Sequence, residues 1–189
     1  MQIQRKQAEE LLNRYVKTPH IIKHSYAVEA VMRALAKKLA PEEEEEWAIA
    51  GLLHDLDNDS VDWEKDMSLH GPKTIELMIE NGVGNEKMYQ AILAHNPLNG
   101  SSIETTFDRA MYAADPITGF ITAIALVYPD KKIKSVKTRS ILKRMKEKRF
   151  AAGANRDAMK SIEDLGIPFE EFASLSLSAM CEIEDILGL

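Results

Sequence analysis

Apolar residues recur three and four positions apart along nearly the whole chain, and no stretch alternates apolar with polar over the roughly five residues that a half-buried strand needs. That periodicity confines the chain to an all-α helical bundle, because a helix with one apolar stripe must bury it against another. Ala8, Leu11, Leu12, Tyr15 and Val16 mark a first helix. Ile21, Ile22, Tyr26, Ala27, Ala30, Val31, Ala34 and Leu35 mark a second that reaches Leu39. Proline and small polar residues punctuate the pattern. Pro19, Pro41 and Pro72 stand at helix starts, Asn81-Gly82 ends the helix begun at Pro72, and Asn85 caps the next, which His95-Asn96-Pro97 stops. Glu104 to Ala114 is helical and ends at Asp115-Pro116, and Ile117 to Val127 is a separate buried helix. Lys131 to Arg149 carries a basic amphipathic helix, followed by helices near Arg156 to Leu165 and Pro168 to Leu187. With no repeat and no low-complexity linker, residues 1–189 form one domain, with a core at about 20–130 and the helices of 131–189 packed on it.

Composition removes several classes of function. No apolar run approaches the ~20 residues that cross a bilayer, so no membrane is expected. The stretch from Met1 to Gln7 lacks the apolar core of a secretory leader, and the single Cys181 has no internal partner, which points to a reducing cytoplasm. A formal charge of −6 argues against nucleic acid as a partner and leaves a small molecule.

Within the helical pattern, Ile49-Ala50-Gly51-Leu52-Leu53-His54-Asp55 ends an apolar run with two metal-binding side chains. Neighbours on a continuing helix diverge by roughly 100°, so His54 and Asp55 converge on one ion only where the helix stops. The other histidines and one aspartate sit in comparable places. His24 lies on the inner face of the second helix, while His20 follows Pro19 in the first turn, where a surface role suits it. His70 precedes Pro72, His95 ends a helix, and Asp115 stands alone among apolar neighbours, where it needs a strong partner. The acidic run Glu42 to Glu46 is a solvated first turn. Separations of 30, 16, 25 and 20 residues mean that these groups meet only through tertiary structure, as metal ligands of helical bundles do.

The order His24, His54-Asp55, His70, His95, Asp115 on an all-helical chain resembles the HD-domain superfamily of metal-dependent phosphohydrolases, most closely in Gly51-Leu52-Leu53-His54-Asp55 and Tyr112-Ala113-Ala114-Asp115. The likeness implies His24, His54, Asp55 and Asp115 as ligands of a first ion. His70 and His95 complete a second, with Asp55 as the bridge. Leu56-Asp57 replaces the Ile-Gly that follows the doublet in many members, and the Gly-Tyr-Pro signature of the cyclic dinucleotide phosphodiesterases is absent from the sequence. The mixed nitrogen and oxygen donors suit Mn, Fe, Ni, Co or Zn better than Mg. Two such ions activate a water for hydrolysis of a small phosphorylated substrate, such as a nucleotide, without a Ser or Cys nucleophile. Asp55 is a catalytic residue on this reading, and Asp59, just past the doublet, is a candidate for orienting water or protonating the leaving group. From the basic segment and its flank, Lys148, Arg149 and Arg156 are candidates for holding substrate phosphate. A regulatory or binding module with a vestigial metal site and a di-iron oxygenase on the same scaffold remain open alternatives.

Overall fold

The computed structural model describes residues 4–189. Met1, Gln2 and Ile3, the first part of the stretch read as lacking a leader, lie outside the described residues. Among the described residues the chain is helical without strands: α1 (Arg5–Tyr15), α2 (Pro19–Leu39), α3 (Glu44–Leu53), α4 (Pro72–Glu80), α5 (Glu86–Ala94), α6 (Thr106–Val127), α7 (Thr138–Met145), α8 (Arg156–Lys160), α9 (Phe169–Glu182) and α10 (Glu184–Leu187). The ends follow local chemistry. Pro19 and Pro72 occupy first turns, Asn85 accepts from the Met88 N–H, and Thr105 and Asp108 form a reciprocal capping box that starts α6.

The helix α3 lies along α2, and α6 crosses the middle of the bundle against α2, α5, α8 and α9. Trp47 of α3 stacks on Phe107 of α6 with ring centres 4.7 Å apart, and the buried apolar side chains continue from Ala8 to Leu187. At Gly51 the two backbones of α2 and α3 almost touch, for a Cβ there would lie 2.9 Å from the Val28 carbonyl oxygen. No larger residue fits without separating these helices.

Three expectations are corrected. Asp115-Pro116 does not end a helix: α6 runs unbroken for 22 residues through Pro116. Proline removes only its own N–H, and Pro116 sits on the face of α6 that borders a cavity, where its ring has room. The second correction concerns the apolar run. The helix α6, with a mean hydropathy of 1.5 over its most apolar 18 residues, is long and apolar enough by composition to cross a membrane. Here it is packed inside the bundle and carries Asp108, Arg109 and Asp115. The expected C-terminal helix from Pro168 to Leu187 is divided at Ile183, whose backbone leaves the helical region.

Candidate metal centre

The four histidines and two aspartates come from the ends and inner faces of five segments and meet at one place. Helix α3 stops at Leu53, with His54 as its cap, and tight turns then carry the chain through Leu56, Asn58 and Ser60. That break lets neighbouring side chains face the same point. His95 caps α5, His70 precedes Gly71-Pro72 at the start of α4, and His24 and Asp115 project from α2 and α6. Gly71 has a φ of 103°, a left-handed conformation that favours glycine, and it turns the chain between His70 and α4.

Two groups of donors result, His24 with His54 and Asp115, and Asp55 with His70 and His95. His24 Nε2 is 3.2 Å from His54 Nε2 and 3.0 Å from Asp115 Oδ1, and His70 Nε2 is 2.9 Å from His95 Nε2. Asp55 spans both groups. Its Oδ2 lies 3.7 Å from His24 Nε2, and its Oδ1 lies 3.3 Å from both His54 and His70 Nε2. Ligand atoms about 2.0–2.2 Å from one ion, at angles between tetrahedral and octahedral, stand roughly 3 Å apart. The spacing here fits.

The far side of each ring fixes its tautomer. His54 Nδ1 donates to the Gly51 carbonyl at 2.8 Å and His95 Nδ1 donates to the Ile92 carbonyl. His70 Nδ1 donates to Asp57 Oδ1 at 2.8 Å. The Thr118 hydroxyl donates to the Asp115 carbonyl, which leaves its oxygen to accept from His24 Nδ1 at 3.1 Å. With the Nδ1 atoms donating outward, the neutral rings turn bare Nε2 lone pairs toward one another and toward two carboxylates. Acceptors facing acceptors require a cation or protons between them.

The electrostatics show the same demand. Burial pulls the His54 pKa down, yet Asp55 and Asp115 hold it up at about 9; burial also opposes protonation of His70, which Asp55 and Asp57 raise to about 10. His95, desolvated and beside two other imidazoles, falls to about 4. Although desolvation acts against their charge, Asp55 and Asp115 are kept below the usual carboxylate range by the rings around them.

Three residues outside the expected set support the ligands. Asp57 is fully buried and, besides His70, accepts from the backbone N–H groups of Gly71 and Thr74 at 2.7 and 3.2 Å. Thr118 orients His24, and Asn96 donates to the Met67 and His70 carbonyls. Thr118 had a sequence signal, standing three residues after Asp115 on the same helix face. Asp57 had none, being one of five acids in a polar loop.

The remaining sequence candidates lie elsewhere. Asp59 is exposed and accepts from the Lys17 N–H, the Thr18 N–H and the Thr18 hydroxyl, so it ties the start of α2 and is not free to handle a substrate proton. Desolvation raises its pKa, but hydrogen bonds from Lys17, Thr18 and Asn58 together outweigh that and lower it to about 2. Arg156 is no phosphate clamp either. Its guanidinium donates to the carbonyls of Met145, Glu147, Phe150, Ala151 and Ala154, which uses its full set of donors. It also lies 5.2 Å above the Phe120 ring. Lys148 and Arg149 are exposed and do not line the cavity beside the centre, and His20 is exposed at the start of α2.

That cavity, of about 440 Å³, is bordered by His24, His95 and Asp115, by one face of α6, and by the segment 151–155. A larger groove of about 540 Å³ lies between α2 and α9 and touches none of the six residues. No curated protein and no solved structure matches the chain significantly. The family model described as HD domain matches residues 21–119, more than half of the chain, and that span contains all four clustered histidines and both aspartates. This match, with the helical fold and the His54-Asp55 pair between two groups of donors, makes the chain a member of the HD domain family.

Proposed function

We propose that this chain is a metal-dependent phosphohydrolase that cleaves a phosphate ester of a small molecule at a two-ion centre. His24, His54 and Asp115 would hold one divalent ion and His70 and His95 the other, with Asp55 shared between the two groups. One observation carries the reading: the four imidazoles are anchored on their outer nitrogens and present the inner ones to two aspartates. The donor set favours Mn, Fe, Ni, Co or Zn. When bound, such ions supply Lewis acidity that makes water a nucleophile near neutral pH and neutralises phosphate oxygens.

The chain's own residues do the positioning. Gly51, Ile92, Asp57 and Thr118 hold the rings in one tautomer, and Asp55 keeps the two groups of donors in register. The cavity beside Asp115 gives the ester a place against the centre. In the reaction, water adds to phosphorus, the ester P–O bond breaks and the leaving alcohol takes up a proton. We place this activity in the cytoplasm, in keeping with the single cysteine.

The test is metal analysis paired with anaerobic phosphatase assays on wild type, Asp55→Ala and His54→Ala. Wild type is expected to bind close to two ions and to hydrolyse a phosphoester without dioxygen. Each variant should lose several orders of magnitude in rate, with Asp55→Ala losing metal from both positions. Equal metal content in wild type and Asp55→Ala refutes the two-ion centre, and turnover that requires dioxygen identifies an oxygenase instead.

A further inference from the structure

The cavity next to the centre has a chemical character of its own. Its volume of about 440 Å³ falls in the range of roughly 300–1,000 Å³ usual for small-ligand pockets. Among the described residues that line it there is no lysine and no arginine. Apart from the metal-site groups, its polar side chains are Tyr112 and Asn155, whose hydroxyl and amide are 3.2 Å apart. The rest of its surface is Pro116, Phe120, two glycines and small alanines.

The glycines keep it wide. A Cβ on Gly119, one helical turn beyond Asp115, meets nothing within 4 Å, and the same holds for Gly153 on the facing segment. That segment lies beyond the region matched by the family model, so this wall belongs to the chain's own C-terminal part. Arg156 fixes its shape by binding five carbonyls between Met145 and Ala154.

We propose that this cavity is a subsite for an uncharged, ring-bearing leaving group of about nucleoside size. The substrate is then a phosphomonoester with one terminal phosphate, not a di- or triphosphate. This rests on the phosphohydrolase reading above and narrows it. Two divalent ions against Asp55 and Asp115 leave roughly two positive charges, which one terminal phosphate dianion neutralises. A second or third phosphate would enter a cavity without a cationic side chain and beside the Asp115 carboxylate, an unfavourable place for added negative charge. A neutral ring finds apolar surface and Tyr112, and the Tyr112 hydroxyl proton and the second Asn155 amide proton, which their mutual hydrogen bond does not use, can serve its polar edge.

Adenosine is a neutral probe of the right size and needs no turnover. Equilibrium dialysis is expected to show that it binds both metal-loaded and chelator-treated protein. Gly119→Leu and Gly153→Leu, which fill the cavity from opposite walls, are each expected to weaken that binding at least tenfold while metal content stays at the wild-type level. In assays, adenosine monophosphate is expected to exceed the di- and triphosphate at least tenfold in kcat/KM. Absence of adenosine binding, unchanged binding in both glycine variants, or equal hydrolysis of the triphosphate overturns the subsite. Adenosine binding that both variants weaken, in a protein that hydrolyses no phosphoester, refutes the enzymatic reading and leaves the subsite standing. Hydrolysis without adenosine binding does the reverse.

Discussion

The metal centre and the loop pinned by Arg156 both gather polar atoms from several segments, but with opposite results. In the loop, one guanidinium meets five carbonyls, donor against acceptor, and nothing further is needed. In the centre, ring nitrogens and carboxylate oxygens face one another after the outer nitrogens have been tied to Gly51, Ile92, Asp57 and Thr118. Convergence of polar groups is therefore a sign of ligand binding only where the groups are of one kind. A matched set is structural glue.

Among substitutions outside the clustered histidines and aspartates themselves, removing an outer anchor gives the largest effect. Asp57→Ala leaves His70 without the acceptor for its Nδ1 proton, and metal affinity is expected to fall about 10- to 100-fold in a competition titration. Unchanged affinity would mean that the centre, like the loop, is complete in itself. Arg156→Ala is expected to lower stability by about 2 kcal/mol in denaturant unfolding, because it frees several carbonyls at once, while metal content stays unchanged. Arg156→Lys should restore little, since an ammonium offers three donors as a compact point charge where five carbonyls surround a planar fork.

The histidines provide a third contrast, through pH. In metal-free protein His54 and His70 titrate near 9 and 10, above the ordinary value near 6.5, so folding favours their protonated forms. The stability they contribute is full below about pH 6.5 and is lost as pH rises through 9 to 10. His95, at about 4, acts in the other direction and weakens the fold as pH falls from 6.5 toward 4. Thermal midpoints of chelator-treated protein should thus decline on the alkaline side, and saturating metal should flatten that decline by taking the place of the protons. A parallel decline with and without metal would show that the rings are not its ligands. The smallest effect is expected at Asp59→Asn: about 1 kcal/mol of stability lost from the start of α2, with wild-type kinetics.

These outcomes also mark what the sequence could reveal. Helix starts were legible at Pro19, Pro72 and Asn85 because capping is local chemistry, and the residues that cluster were legible because each imidazole stands at a helix end or on an apolar face. Pro116 misled because its cost depends on whether its side of α6 has room, which only packing decides. Asp59 and Arg156 misled for a related reason. A charge in a sequence looks available, but its donors and acceptors are counted only after the chain has folded around it. Asp57 was hidden among similar acids, and only its burial separates it from Asp62 or Asp66.

Gly51 sets the bite of the centre. His24 and His54 ride on helices whose separation is fixed at that residue by backbone against backbone, and the Gly51 carbonyl also anchors the His54 ring. The 3.2 Å gap between the two imidazole nitrogens therefore depends on this helix packing. A methyl group at position 51 would wedge α2 from α3 and open the jaws. In the proposed two-ion reading, a scaffold with this fixed bite would suit compact transition metals better than large ions such as calcium.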